Sequence, residues 1–282
     1  MRSLLVLVML GILNTGFSQD FASIDIWPEK VPGEEEPKAK PVVQIDDKGV
    51  IERLLVVTDP VMEIYRPQPS KSNRNAILIF PGGGYSRLAI KKEGYEIAQW
   101  LSSLGYTAFV LQYRVPQKQE GALMDAQRAI RIVHSKSDEF NINPDKIGVL
   151  GFSAGGSLAA RASTLYEQET YAPLDDLDTI SSKPNFAVLI YPAYLDQGPN
   201  NSLTPELKVN AETPPTFLFV AADDPYANSS LVMAQALRNE KVLVELHVVP
   251  FGKHGYGMRT GNPAAEVWPN LAASWLKNYI TK

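Results

Sequence analysis

One short segment of the sequence carries a residue pattern typical of nucleophilic catalysis. Gly151-Phe152-Ser153-Ala154-Gly155 matches the pattern G-x-S-x-G, and it lies between an apolar run that predicts a strand and a segment that predicts a helix. In that context the serine occupies a strained turn that exposes its hydroxyl, and its neighbours must be small because strand and helix pass close together. The alternative, a phosphate-binding loop, lacks its downstream Lys-Ser/Thr pair and any spaced dinucleotide pattern. We therefore predict that Ser153 is a nucleophile.

A nucleophilic serine requires a base within hydrogen-bonding distance, and the sequence has only three histidines. His134 lies inside a helix pattern upstream of the serine, and His247 lies within a predicted strand beside Glu245. His254 instead lies in the glycine-rich loop PFGKHGYGM, directly after the last predicted strand. Open α/β sheets place their sites on loops at the carboxyl ends of strands. His254 is therefore the predicted base, although an exposed loop histidine is the alternative.

The acid that orients this histidine should lie between the serine and the histidine, at the end of another strand. Asp223 and Asp224 directly follow the strand predicted at residues 216–221. One carboxylate could hold the imidazole while the other caps the turn before the following proline. We expect Asp223 to be the acid because it comes first after the strand, and Asp224 remains the alternative.

Backbone N–H groups that could stabilise an oxyanion come from two places. A strand pattern ends at Gly82-Gly83-Gly84, where bare backbone lets N–H groups approach a substrate oxygen. We predict an oxyanion hole formed by Gly83, Gly84 and Ala154, the last at the start of a helix whose first N–H groups are unpaired. A flexible strand–helix turn is the alternative for the glycines. Three aromatic residues are candidates for lining the substrate site, with ordinary packing as the alternative: Tyr85, Tyr226 and Trp268.

The elements that must position these residues alternate between strands and helices. Continuous apolar runs of about five residues predict strands buried on both faces, at residues 76–80, 107–111, 146–150, 186–190, 216–221 and 242–248. Helix-period segments lie between these runs, and two earlier runs at 51–57 and 61–65 look like an antiparallel pair. This alternation predicts an α/β fold with a mostly parallel sheet of about eight strands and helices on both faces.

Composition and the N-terminal segment restrict the function further. The net charge of −4 and the lack of long basic runs argue against nucleic-acid binding, and the absence of cysteine excludes cysteine catalysis and cysteine-bound metals. Arg2, an apolar run at 4–13 and small residues up to Ser18 predict a signal peptide at 1–18, with no cysteine for a lipid anchor. A disordered or docked N-terminal segment is the alternative. We expect an extended lead-in at 19–50, one catalytic domain at 51–282, and a periplasmic or secreted protein without membrane association after cleavage.

Several motifs resemble those of one esterase group. They are IFPGGGY, KKEGYEIAQWL, YTAFVLQYR, PDKIGVLGFSAGGSLAA, FAVLIYP, KHGYG and, nearer the N-terminus, IDIWPEKVPG and VMEIYRP. Together they resemble the bacterial acetyl xylan esterase-like and feruloyl esterase-like carbohydrate esterases of the α/β-hydrolase superfamily, over nearly the whole mature chain. Pro81 stands where many esterases have a histidine that is not part of the triad. The resemblance implies an α/β-hydrolase fold and hydrolysis of acyl esters, often acetyl groups on plant polysaccharide, by exported bacterial enzymes.

The expected function is therefore that of a secreted serine esterase that removes acetyl or other short acyl groups from a carbohydrate such as xylan. It would act through a Ser-His-Asp triad and an acyl-enzyme, without a metal or cofactor, on small-molecule or polysaccharide esters. The segment at 192–214 is too short for a large cap domain. A feruloyl esterase is one alternative. A prolyl-oligopeptidase-like peptidase would need a large additional N-terminal domain, and the complete triad argues against a non-catalytic binding protein.

Overall fold

An eight-stranded sheet forms the centre of the computed structural model, which describes residues 23–281. In chain order the strands are β1 (Ser23–Asp25), β2 (Val42–Ile45), β3 (Ile51–Val56), β4 (Val61–Tyr65), β5 (Ala76–Phe80), β6 (Thr107–Gln112), β7 (Ile147–Phe152), β8 (Phe186–Ile190), β9 (Thr216–Ala221) and β10 (Val244–Val249). The main sheet has the order β1-β4-β6-β5-β7-β8-β9-β10. Strands β5 to β10 run parallel, and β4 is antiparallel to both β6 and β1. The predicted, mostly parallel eight-stranded sheet is thus confirmed.

Helices cover this sheet. They are α1 (Glu96–Ser103), α2 (Gln119–Ser135), α3 (Ser137–Phe140), α4 (Ala154–Thr164), α5 (Ala227–Asn239) and α6 (Trp268–Trp275). A π-helical turn at Lys91–Tyr95 leads into α1, and another at Leu276–Ile280 follows α6. Every residue of β5 to β9 is buried, as expected for strands covered on both faces. None of the described helices is long and apolar enough to cross a membrane.

The pairing of the early strands differs from the prediction. The runs at 51–57 and 61–65 do not pair with each other, because β3 pairs with β2 while β4 lies between β1 and β6 in the main sheet. A tight turn fixes the β2–β3 hairpin: Asp46 Oδ1 accepts the backbone N–H groups of Lys48 and Val50, and Gly49 adopts a φ of 77°. This local turn gives β3 an upstream partner, so the Asp59–Pro60 connection does not form a hairpin.

The predicted lead-in is tied to the main domain. From residue 23 it supplies β1 and β2, and Trp27 is fully buried with its Nε1 donating to Asp125 Oδ1 at 2.8 Å. Asp125 also accepts Arg114 Nε at 3.0 Å, so a buried ion pair lies beneath this segment. Burial raises the pKa of Asp125, and the Arg114 guanidinium opposes that shift. The predicted signal peptide at 1–18 lies outside the described residues.

Candidate active site

Ser153 occupies a strained turn between β7 and α4. Its φ of 53° and ψ of −119° lie in a region that non-glycine residues rarely adopt. The residue is 8% exposed, and its Oγ lies 2.7 Å from Nε2 of His254. The predicted serine and histidine are therefore in direct hydrogen-bonding contact, although 101 residues separate them in the chain.

The small residues around the serine are required by close backbone packing. A Cβ on Gly151 would lie 2.1 Å from the carbonyl oxygen of Gly155, and one on Gly155 would lie 2.0 Å from the carbonyl oxygen of Phe80. Both obstacles are backbone atoms, which cannot move aside as the end of a side chain can. The predicted close approach of strand and helix is confirmed, and it explains the glycines of the motif.

The acid that contacts the histidine is Asp224. Its Oδ2 lies 2.7 Å from His254 Nδ1, and its side chain is fully buried. The prediction of Asp223 is wrong: Asp223 Oδ1 instead accepts the backbone N–H groups of Gly252 and Lys253, at 2.9 and 2.8 Å. Asp223 thus holds the backbone that leads into the histidine.

Asp224 performs both of the roles that we expected the two aspartates to share, namely holding the imidazole and capping the turn. Asp224 Oδ1 accepts the backbone N–H of Tyr226 at 2.8 Å and closes the turn, which leaves Oδ2 for the imidazole. The position of Asp224 directly before a proline therefore does not prevent its contact with His254. The Asp224 carboxylate can only accept a hydrogen bond, so the proton of the neutral His254 imidazole lies on Nδ1. Nε2 is then unprotonated and can accept the hydroxyl proton of Ser153.

The glycine turn after β5 lies against the serine. A Cβ on Gly82 would be 2.9 Å from Ser153 Cβ, so the two backbones are in contact. Gly83 and Gly84 have φ values of 137° and 66°, which favour glycine. The N–H of Gly82 donates to Glu93, whereas those of Gly83, Gly84 and Ala154 have no acceptor within residues 23–281. These unpaired groups beside the serine could stabilise a negatively charged oxygen.

Comparison with solved structures identifies the family of this chain. The acetyl ester-xyloside bifunctional hydrolase from Caldicellulosiruptor lactoaceticus is 32% identical to it, with a TM-score of 0.76 over 93% of this chain and 98% of that chain. The chain belongs to the α/β-hydrolase family. The model of the BD-FAE family also matches residues 62–195 of this α/β-hydrolase, which include Ser153 and the glycine turn.

Two curated relatives of this α/β-hydrolase are named for xylan chemistry. The acetylxylan esterase of Xylanibacter ruminicola is 29% identical over 236 residues, which are 74% of this chain and 47% of the relative. Endo-1,4-beta-xylanase B of Butyrivibrio fibrisolvens is 30% identical over 213 residues, 64% of this chain and 32% of the relative. The chain thus spans less than half the length of these two relatives.

Of the three aromatic residues predicted to line the site, two lie next to it. The ring of Tyr226 packs edge-on against the imidazole of His254, with 4.8 Å between the ring centroids. Tyr85 is a buried residue that follows the glycine turn. Trp268 is fully buried, and its Nε1 donates to the carbonyl oxygen of Gly257 at 2.8 Å. The prediction for Trp268 is wrong because it supports the histidine loop from within the core.

A polar cavity of about 320 Å³ lies between the glycine turn and α4 in this α/β-hydrolase. It is lined by Gly84, Tyr85, Gln117, Gln119, Ser157, Arg161, Tyr194 and Gln197. Ser157 and Arg161 come four and eight residues after the serine on α4, so helical spacing from Ser153 could have found them. Gln117, Tyr194 and Gln197 lie on loops far apart in sequence and carry no comparable signal. Within residues 23–281, no group of three or more His, Asp or Glu side chains is arranged to hold a metal ion.

Proposed function

We propose that this α/β-hydrolase is a serine esterase that removes acetyl groups from a carbohydrate such as xylan, with Ser153, His254 and Asp224 as its triad. One observation carries the proposal: two consecutive 2.7 Å hydrogen bonds link the serine hydroxyl to the imidazole and the imidazole to a buried carboxylate. This is the arrangement that converts a serine hydroxyl into a nucleophile.

Acylation follows from that geometry. His254 Nε2 takes the proton of Ser153 as the Oγ attacks the ester carbonyl, and Asp224 stabilises the resulting imidazolium without taking the proton. The N–H groups of Gly83, Gly84 and Ala154 stabilise the tetrahedral oxyanion. The imidazolium then donates its proton to the departing alcohol oxygen, which leaves the acyl group as an ester on the serine.

Deacylation reverses the roles with water as the nucleophile. His254 Nε2 removes a proton from water, and the hydroxyl attacks the acyl-enzyme carbonyl. The second tetrahedral intermediate uses the same N–H groups. When it collapses, the carboxylic acid leaves and the proton on the imidazole returns to Ser153 Oγ, which restores the starting state.

The substrate class rests on the relatives and on the polarity of the cavity. The names of two relatives and one solved structure refer to acetylxylan, xylan or acetyl ester-xyloside hydrolysis. Glutamine, arginine and tyrosine side chains dominate the cavity lining, which suits a hydroxyl-rich alcohol more than a long alkyl chain. The signal peptide predicted at 1–18 would export the enzyme to the periplasm or the medium, where polymeric carbohydrate is met.

The test compares acetyl, butyryl and octanoyl esters of one alcohol, together with acetylated xylan and a feruloyl ester. An acyl methylene that stays in water gains nothing, whereas one in an apolar pocket gains about 0.8 kcal/mol, or roughly fourfold in rate. We expect acetate release from xylan and rates that fall with acyl length. Rates that rise with acyl length would contradict the short-acyl proposal, and feruloyl release without acetyl release would favour a feruloyl esterase.

A matched pair of histidine variants tests the triad in the same assay. His254→Gln should abolish hydrolysis, whereas His247→Gln should leave it unchanged. His247 also contacts a carboxylate, Glu245 Oε1 at 2.7 Å, but it lies on β10 away from the serine. Equal losses in the two variants would contradict the assignment of His254.

A further inference from the structure

Glu93 is a buried acid directly behind the glycine turn. It is 2% exposed and lies in the π-helical turn Lys91–Tyr95. Its Oε2 accepts the backbone N–H of Gly82 at 2.9 Å, at the point where the turn touches the serine. Its Oε1 accepts the hydroxyl of Tyr191 at 3.2 Å and pairs with Lys92 Nζ at 3.3 Å. The carboxylate therefore accepts two hydrogen bonds and forms one ion pair, with Oε2 directed to the glycine turn.

Both partners of Oε1 continue to the loop that carries the catalytic histidine. The Tyr191 hydroxyl accepts the backbone N–H of Gly257 at 2.9 Å, and its ring meets the imidazole of His254 edge-on at 5.1 Å. Lys92 Nζ donates to the carbonyl oxygen of Gly255 at 2.8 Å. Burial holds the pKa of Tyr191 well above its usual value, so its hydroxyl keeps the proton that it donates to the carboxylate.

The donor set requires a carboxylate at this position. A glutamine has the same shape, but it offers only one acceptor oxygen and presents an NH₂ group in place of the other. That NH₂ would face either the N–H of Gly82 or the donors gathered at the opposite oxygen. Either the glycine turn would lose its hydrogen bond to residue 93, or Tyr191, which holds the His254 loop through Gly257, would lose its carboxylate acceptor.

We propose that Glu93 is a positioning residue that fixes the glycine turn relative to the His254 loop, through Tyr191 and Lys92. The proposal rests on the proposed function, because a serine esterase needs its oxyanion donors and its base at a constant separation. Glu93 itself touches neither Ser153 nor His254 and acts through the backbone of the two loops.

The kinetic test compares Glu93→Gln with a matched control, Glu63→Gln. Glu63 is partly buried, and its side-chain donors include Tyr95 at 3.1 Å and Gln112 at 2.6 Å, neither of which belongs to a site loop. For Glu93→Gln we expect kcat for 4-nitrophenyl acetate to fall roughly 10- to 100-fold while KM changes less than about threefold. The control should keep the wild-type kcat even if its Tm falls as far. Unchanged kcat in Glu93→Gln, or an equal loss in both variants, would overturn the proposal.

A second measurement does not depend on activity. Hydrogen–deuterium exchange should become faster in peptides spanning residues 80–88 and 252–258 of Glu93→Gln, and should stay unchanged there in Glu63→Gln. Lys92→Met provides the same test if Glu93→Gln does not fold, because Lys92 is partly exposed and its loss should loosen residues 252–258. If the wild type hydrolyses no ester but both peptides loosen together, the proposed function fails and the positioning role stands. Unchanged exchange at 252–258 in the Glu93 or Lys92 variant overturns the positioning role.

Discussion

Replacement of Asp224 by asparagine should inactivate the enzyme through the tautomer of His254. The backbone N–H of Tyr226 donates to Oδ1 of Asp224, so the amide oxygen of an asparagine would occupy that position. The amide NH₂ would then face His254 Nδ1, which must become an acceptor. The imidazole proton would move to Nε2, and Nε2 could no longer accept the proton of Ser153.

The size of this effect separates it from a simple loss of one hydrogen bond. A carboxylate-to-amide change that imposes the wrong tautomer lowers kcat by roughly 10⁴-fold in other serine hydrolases, which corresponds to about 5 kcal/mol in the barrier. In Asp223→Asn the remaining oxygen can still accept the N–H groups of Gly252 and Lys253. We therefore expect Asp223→Asn to lower kcat by less than about tenfold.

The assay measures kcat on 4-nitrophenyl acetate for the two asparagine variants, with Tm as a check that both fold. Asp224→Asn should lose roughly 10³- to 10⁴-fold, and Asp223→Asn should stay close to the wild type. If Asp223→Asn loses more than Asp224→Asn, the reasoning about the tautomer is refuted and the original sequence-based preference for Asp223 is restored.

Three further predictions concern stability. Gly155→Ala should destabilise the fold by more than about 3 kcal/mol in urea unfolding, because its Cβ would meet a backbone oxygen at 2.0 Å. The control Gly49→Ala has open space around the new Cβ and should cost about 1 kcal/mol, because of the positive φ of residue 49. Equal costs for the two variants would contradict the packing argument. Asp125→Ala should cost about 3–5 kcal/mol because it leaves Arg114 buried without its carboxylate, and a loss below about 1 kcal/mol would show that the pair contributes little. Burial lowers the pKa of His134, so the unfolded chain takes up its proton first as the pH falls below the ordinary value of about 6.5. The urea midpoint should therefore fall between pH 7 and pH 5 by a smaller amount in His134→Asn than in the wild type, and identical falls would contradict this.

The strands and the serine–histidine pair were predictable because each has a local signal. The runs at 76–80, 186–190 and 216–221 coincide with β5, β8 and β9, since burial on both faces makes a strand continuously apolar. Ser153 was identified by its strand–turn–helix context. His254 was identified because only one of three histidines follows a strand, at the edge where such sheets carry their sites.

Features that depend on contacts between distant segments were not predictable from local pattern. An apolar run does not specify its partner strand, so the pairing of β3 with β2 was missed. Neighbouring aspartates share the same sequence signal, and only the fold shows that Asp224 serves both the turn and the imidazole. Trp268 is the first residue of α6, a helix whose buried face is set by tertiary packing. Glu93 follows the glycine turn closely in sequence, but its link to Gly257 passes through Tyr191, 98 residues away.

Covalent labelling is the decisive test of Ser153 as the activated nucleophile. The protein would be incubated with an organophosphate ester, which forms a stable adduct on an activated serine, and its tryptic peptides would be analysed by mass spectrometry while esterase activity is followed. We expect one adduct per chain at Ser153, activity lost in proportion to labelling, and no adduct at that peptide in His254→Gln. Complete inactivation with Ser153 unmodified, or an adduct on another residue, would contradict this role of Ser153.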